Sequence, residues 1–337
     1  MITVFDDAQR AHDPQFFLSS GARKPCPEQP ARVDALLAAV RRMGGSVVQA
    51  PDAGLAPILA VHPQRYLTFL QGIYQRWQHI DGASAEVIPN VHPASRLDGY
   101  PLSAVGQAGF HMTDTSCPIS AQTWGAAYAS AQTAIHAADL VLGGEKAAYA
   151  LCRPPGHHAF AELAGGFCYL NNSGIAAQRL TDAGRRVAIL DVDLHHGNGT
   201  QGMFYARGDV LTVSLHAHPE RFYPFFWGYA GEFGEGEGSG ANLNLPLARG
   251  TGDAGFLAAL ALGIEKVQAW GADTLVLALG LDAFEGDPFA GLTVTTPGFA
   301  AIGRAVQAMG LPVVIVQEGG YLCPELGDNL QAVLQAW

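Results

Sequence analysis

From residue 147 onward the chain repeats one pattern: a short, unbroken apolar run, a polar cluster, then a stretch of helical length. The runs fall at 147–152, 187–190, 210–215, 274–279 and 313–317. Unbroken rather than alternating hydrophobicity over so few residues predicts strands buried on both faces, as in a parallel sheet covered by helices. Upstream, Pro30 opens an amphipathic helix over 32–43, with Leu36, Leu37 and Val40 on one face and Gly44-Gly45 as its stop. A second helix is expected over 63–78 and an alanine-rich third over 121–142, ended by Gly143-Gly144. Between them, 78–120 reads as a long irregular insertion, and a segment of that length usually has a job, such as a lid or an oligomer contact. No linker or internal repeat interrupts the pattern, which predicts one large α/β domain over 1–337.

Each apolar run ends in side chains that a core would not accept unpaired. Arg153-Pro154-Pro155-Gly156-His157-His158 follows the first and Asp191-Val192-Asp193-Leu194-His195-His196-Gly197 the second. His216-Ala217-His218, Gly280-Leu281-Asp282 and Glu318-Gly319-Gly320-Tyr321 follow the others. In an open parallel sheet the carboxyl ends of the strands share one edge, where ligands bind. A lone Asp-x-His is more often a strand running into a polar loop; five reactive clusters on one edge point to an active site. Alternation along a continuing strand would put Asp191, Asp193 and His195 on one side. Asp193, His195 and Asp282 then make a mixed N/O triad with positions left for water and substrate, suited to zinc and also to iron, cobalt or manganese. The rigid turn before His157 and His158 can aim both rings at such an ion for proton transfer, with Asp191 and Asn198 available to hold their far nitrogens. Tyr321, beyond a glycine pair, can donate its O–H to a carbonyl oxygen as charge develops there.

Composition narrows the partners. The 337-residue chain has a formal net charge of −11 and no Lys/Arg run, which argues against nucleic acid and suits a cationic ligand. Its five cysteines are scattered, odd in number and without C-x-x-C spacing, so neither a disulfide framework nor a thiolate zinc site is expected; small core residues are. Residues 1–5 lead into Asp6 and Asp7 without a basic segment, and no stretch is apolar enough for a bilayer, so a soluble, cytoplasmic protein with no membrane partner is expected. The glycine-rich 234–240 carries G-x-G spacing but two glutamates, and it precedes a strand-like 242–245, which excludes dinucleotide binding. His12, His62, His92 and His111 lie outside the reactive edge and read as surface or loop histidines.

Taken together, RPPGHHAF, GGFCYLNN, LDVDLHHGNGTQ, GLDAFEGDP and QEGGY resemble the arginase-deacetylase superfamily. Within it they resemble the zinc-dependent histone deacetylase family, on its bacterial, class II-like side. The likeness runs from about residue 30 to 330, and the opening HDPQFFLSSGARKPCPEQPAR with the 78–120 insertion is most similar to acetylpolyamine amidohydrolases. The resemblance implies a single-domain arginase-deacetylase α/β fold: a mostly parallel central sheet, helices on both faces and long active-site loops at the strand C-termini. It implies an amidohydrolase in which Asp193, His195 and Asp282 bind Zn2+, with Fe2+ or Co2+ as substitutes. His157 and His158 would handle protons, oriented by Asp191 and Asn198, and Tyr321 would polarise the amide carbonyl for metal-activated water.

The resemblance also implies a structural K+ held by Asp191, Ser214, Leu215 and the carbonyls of Asp193 and His195. A second monovalent site would lie around Phe204, Arg207 and Val210. Phe167 and Tyr223 would wall the substrate channel beside Gly166, Tyr223 standing where Phe is commoner; as an alternative or an addition, Phe222, Tyr223, Phe225, Phe226 and Trp227 would form a hydrophobic cluster under a loop. The insertion would dimerise the chain and narrow the entrance, and of its acids Asp81, Glu86, Asp98 and Asp114, the last is the preferred anchor for a distant ammonium. The substrate would be a small cationic acetylated amine. The alternatives are acetyl-lysine in proteins, another small acyl amide or, outside enzymes, an acyl-amine binding protein; a two-metal ureohydrolase would need more ligands than this edge supplies.

Overall fold

The computed structural model describes residues 1–95 and 97–337. The chain opens with strand β1 (Ile2–Val4), an antiparallel hairpin of β2 (Phe16–Ser19) and β3 (Ala22–Pro25), helix α1 (Ala31–Arg42) and strand β4 (Ser46–Val48). Helices α2 (Ala56–Leu59), α3 (Gln64–Trp77), α4 (Ala104–His111) and α5 (Thr123–Leu142) follow. The second half alternates: β5 (Ala147–Ala150), α6 (Asn172–Asp182), β6 (Val187–Asp191), α7 (Asn198–Phe204), β7 (Val210–Ala217) and β8 (Asn242–Leu247). It closes with α8 (Asp253–Trp270), β9 (Thr274–Leu279), α9 (Thr296–Gln307), β10 (Val313–Gln317) and α10 (Leu326–Leu334).

Eight strands form one sheet in the order β4-β1-β5-β10-β9-β6-β7-β8, every neighbouring pair parallel. The period of two sorts each strand's side chains between two cores. Val313, Ile315, Leu275, Leu277 and Leu279 meet α1, α8, α9 and α10 on one face. Val314, Val316, Val276 and Ala278 meet α5 and α6 on the other. The alanines of α5, among them Ala134, Ala137 and Ala138 at 0% exposure, let that helix lie close on the sheet. These are the α/β layers expected, and the five predicted strands are adjacent at its centre, so their carboxyl ends do share an edge.

Three features depart from the sequence reading. The short strands β1 and β4 extend the sheet beyond β5. The 78–120 insertion is not wholly irregular: it contains α4, capped where Ser103 Oγ accepts from Gly106 N (3.1 Å), and a bridge between Val87 and Ile119. Two glycines in eight residues had hidden that helix. Finally, His12, His62 and His111 are buried at 0–1% exposure, not on the surface, whereas His92 is exposed. The insertion packs with α3 and α5 in a third apolar cluster, from Ile58 through Ile175.

Candidate active site

The ladder of β6 ends at Asp191, so strand alternation does not carry Asp193 and His195 to the same side. Two successive Asx turns do so instead: Asp191 Oδ1 accepts from Asp193 N (3.0 Å), and Asp193 Oδ1 from His195 N (2.8 Å). Asp282 arrives from the end of β9, fixed where its Oδ1 accepts from Leu194 N (3.0 Å). One ligand-type atom each from Asp193, His195 and Asp282 falls within 4.8 Å of the others, making them a group placed to hold a metal ion among the described residues. His195 Nδ1 lies 3.0 Å from Asp282 Oδ2 and 3.3 Å from Asp193 Oδ1. Both carboxylates are fully buried; burial, then the charge of Asp193, pushes the Asp282 pKa up. Two carboxylates forced together out of water fit a site made for a divalent cation, and the donor set is that of an open catalytic centre.

Beside the triad stand the two tandem histidines, their ring centroids 4.0 Å apart. His157 Nδ1 is 2.9 Å from Asp191 Oδ2, and His158 Nδ1 is 2.7 Å from Asn198 Oδ1. The turn that carries them is held from behind: Glu318 Oε2 accepts from Gly156 N (2.6 Å) and His157 N (3.0 Å), while its Oε1 accepts from Ser173 Oγ. The unlike partners separate the pair electrostatically. Burial works against a His157 cation, but the carboxylates of Asp193 and Asp191 outweigh it and raise its pKa to about 10. Burial, reinforced by the charges of His157 and His195, holds His158 well below its usual range.

Tyr321 closes the site from the β10 side, its ring 4.8 Å from Phe289 and 6.0 Å from Phe167. Burial, then the Asp282 charge, pushes its phenol well above 10, so it remains an O–H donor. A cavity of about 680 Å3 opens over these groups, lined by His158, His195, Asn198 and Tyr321 at its reactive end and by Phe167, Gly166, Tyr223 and Asp114 along its walls. Phe222, Phe225, Phe226 and Trp227 line it too, with Phe225 48% and Phe226 85% exposed, so the aromatic loop forms channel wall rather than a buried hydrophobic cluster. Gly166 has φ +50°, and a Cβ there would stand 2.4 Å from the His158 ring and 2.9 Å from Tyr223 Oη. Phe167, next in line, also takes a positive φ of 68°, a rare conformation for an aromatic residue that swings its ring toward Tyr321.

Asp114 lies on the wall with its acceptors mostly engaged: Oδ2 accepts from Tyr223 Oη (2.6 Å) and Gly166 N (3.2 Å), and Oδ1 from Ser116 N (2.7 Å). One carboxylate thus ties the insertion, the glycine turn and the aromatic loop together. Asp191 and Ser214 are register partners on β6 and β7, and both border a second, small cavity of about 10 Å3. Since His216 Nε2 donates to Gly228 O (2.8 Å), its Nδ1 accepts from Ser214 Oγ (2.9 Å), which leaves the Ser214 oxygen's lone pairs free for a cation. Where the resemblance implied a second monovalent ion, Phe204 O accepts from Arg207 N (2.9 Å), and the Arg207 guanidinium is paired with Asp209.

Several contributors were not singled out from sequence. Phe17 of the hairpin packs on Phe167 at 5.5 Å. Arg32 and Arg153, each 1% exposed, share Glu28 beneath the Tyr321 turn, Arg32 Nε also donating to Gly320 O (2.6 Å). Asp287 accepts from Tyr321 N (3.0 Å). Both Arg32, which ends HDPQFFLSSGARKPCPEQPAR, and Asp287, in GLDAFEGDP, lie inside the quoted motifs, and that membership was the available signal.

An α/β sheet of parallel strands with a His/carboxylate triad and a tandem His pair at its carboxyl edge describes a hydrolase of a particular architecture. The histone deacetylase domain matches residues 26–337, and the chain belongs to the histone deacetylase family of amidohydrolases, a family that is generally metal-dependent. It is 43% identical to acetylpolyamine amidohydrolase 1 of Pseudomonas aeruginosa, over 100% of this chain and 99% of that one. It is 44% identical to the acetylpolyamine amidohydrolase of Burkholderia pseudomallei, over 98% and 97%. The crystal structure of an acetylpolyamine aminohydrolase from Burkholderia pseudomallei superposes with a TM-score of 0.96 at 44% identity, covering 100% of this chain and 98% of that one. No helix among the described residues is long and apolar enough to cross a membrane.

Proposed function

We propose that this protein hydrolyses the acetyl amide of small N-acetylated polyamines, releasing acetate and the free amine. The observation that carries the reading is the cavity itself: the metal-type triad and histidine pair at one end, aromatic side chains along its walls, and a carboxylate, Asp114, on the wall. The names of the relatives at 43–44% identity support the substrate class.

Asp193, His195 and Asp282 would hold the catalytic ion, zinc by its donor set, with iron or cobalt as substitutes. Bound there, it supplies Lewis acidity to the amide carbonyl and makes a neighbouring water more acidic. The residues of the chain do the rest. His158, its Nδ1 committed to the neutral Asn198, offers Nε2 to take the water proton. His157 is hydrogen-bonded at Nδ1 to the Asp191 carboxylate, which favours its protonated form. Tyr321 donates its O–H to the carbonyl oxygen as it becomes anionic. The water oxygen bonds the carbonyl carbon, the C–N bond breaks, and the leaving nitrogen takes a proton from the histidine pair. Phe167 and Tyr223 enclose the methylene chain, and the charge of Asp114 attracts the distant ammonium. Asp191, Ser214 and the carbonyls of Asp193, His195 and Leu215 are assigned to a potassium ion that stiffens the strand ends, and the 78–120 insertion to a homodimer contact at the entrance.

Steady-state turnover of N-acetylputrescine, N-acetylspermidine and an acetyl-lysine peptide by zinc-loaded protein tests the reading. A kcat/KM at least tenfold higher for the polyamines is expected. Preference for the peptide would reject the substrate class, and no turnover of any amide would reject the reaction.

A further inference from the structure

The turn that delivers Tyr321 is held at successive peptides by buried charged side chains. Gly319 N donates to Asp193 Oδ2 (2.8 Å), Gly320 O accepts from Arg32 Nε (2.6 Å), and Tyr321 N donates to Asp287 Oδ2 (3.0 Å). Gly320 sits at φ +106°, and a Cβ there would stand 2.6 Å from Leu281 Cβ, so this turn has little freedom to shift as a body. Of the three anchors, Asp193 belongs to the metal-type triad and Arg32 to the buried Arg–Glu cluster. Asp287 belongs to neither.

Asp287 lies in the loop after β9, 4% exposed, and both its oxygens accept from backbone N–H groups. The bond from Phe289 N to Oδ1 (2.9 Å) is local and would staple the loop by itself. The bond from Tyr321 N comes from 34 residues away, and a loop staple has no need of it. The two donors are also the two aromatic residues that meet here: the rings of Phe289 and Tyr321 lie 4.8 Å apart, and Phe289 also stands edge-on to His195 at 5.2 Å. One carboxylate therefore fixes the backbones of the tyrosine and of the ring wedged between it and a triad histidine.

We propose that Asp287 is a positioning residue for catalysis, setting the place of the Tyr321 hydroxyl by bracketing the Tyr321 and Phe289 backbones. This rests on the reading of Tyr321 as the donor to the amide carbonyl oxygen. An oxyanion donor acts only over a narrow range of distance, so a small displacement of its backbone costs rate rather than binding.

Asp287→Asn keeps the shape but gives one of the two N–H groups an amide N–H2 to face. The local bond to Phe289 retains the oxygen, and Tyr321 N loses its acceptor. The test is a cycle of Asp287→Asn, Tyr321→Phe and the double variant, using metal-loaded full-length protein and the acetyl amide that the wild type turns over fastest. Metal content and thermal melting are measured alongside. The expected result is a kcat about 10- to 100-fold lower in Asp287→Asn with KM within about twofold, metal content unchanged, and no further loss when Asp287→Asn is added to Tyr321→Phe. Equal factors in both backgrounds, or wild-type kcat in Asp287→Asn, would overturn the positioning role. Wild-type kcat in Tyr321→Phe alone would overturn the reading of the tyrosine, and the inference with it. Should Asp287→Asn not fold, Asp287→Glu, which keeps the charge one methylene further out, goes through the same cycle. Failure of both to fold would make Asp287 a fold element and also reject the proposal.

Discussion

A buried histidine with both ring nitrogens bonded to backbone has one tautomer to use. His62 Nδ1 lies 2.9 Å from Ala161 O and so carries the hydrogen, while Nε2 accepts from Asn171 N at 2.9 Å. Protonation would destroy the second bond and charge a ring at 0% exposure; burial accordingly lowers the pKa of His62 to about 4. The folded chain then binds fewer protons than the unfolded chain between about pH 4 and pH 6.5, so stability rises with pH through that window. The contribution is full above pH 6.5 and is lost as pH falls to 4, at most about 3 kcal/mol from this residue. Urea midpoints for wild type and His62→Gln, which keeps a donor and an acceptor without a titration, should converge as pH drops from 7 to 4.5; parallel curves would remove His62 as an acid-sensitive point. None of this was legible in the sequence, because the partners of His62 are backbone atoms 99 and 109 residues away. The Asp193-His195-Asp282 group, the histidine pair and Tyr321 were legible for the opposite reason: each sits in a polar cluster just after an apolar strand, where nothing in a core would explain it, whereas Ser214, Phe167, Tyr223 and Asp114 were named only through the family resemblance.

Elements were legible in proportion to how much they bury. The five central strands, unbroken in hydrophobicity, were placed within two residues, whereas the marginal β1 and β4, three residues each, left no pattern to read. The shape of the active-site loops lies deeper, in backbone geometry. The turn at Gly166 is the sharpest case, since its positive φ and the approach of the His158 ring both require the missing side chain. Gly166→Ala should lower stability by about 1–3 kcal/mol and reduce kcat/KM by at least tenfold, because the added methyl meets His158 and Tyr223 Oη. Gly21, at the tip of the hairpin, provides the control: its φ is +76°, and a Cβ there would have nothing within 4 Å. Gly21→Ala should therefore show the backbone cost without the catalytic one. Equal activity in the two variants, measured beside thermal melts, would mean that contact with the His158 ring does not shape the site.

At the scale of the whole molecule, the insertion raises a question of solvation. It buries Val87, Ala104, Ala108, Met112, Cys117 and Ile119 in the apolar cluster with α3, which anchors it to the body. Yet it leaves Leu102 87% exposed, Leu97 65% and Val91 50%, within twelve residues of chain. Single exposed apolar residues are ordinary, but three on one insertion are what a contact with a second copy would cover. Each leucine covered in an interface contributes about 1.5–3 kcal/mol of transfer free energy. A charge in place of one should therefore break a dimer that this surface holds. In sedimentation velocity the wild type is expected at twice the chain mass of 35.4 kDa and Leu102→Asp as the monomer. If the contact also narrows the entrance, the monomer should gain activity on an acetyl-lysine peptide relative to N-acetylputrescine. The reactive end of the cavity is built within one chain, so metal content should not change with mass. A wild type that sediments as a monomer at micromolar concentration would reject the dimer. A Leu102→Asp variant that stays dimeric would move the interface away from the insertion, and the selectivity of the channel would then have to come from Phe167, Tyr223 and Asp114 alone.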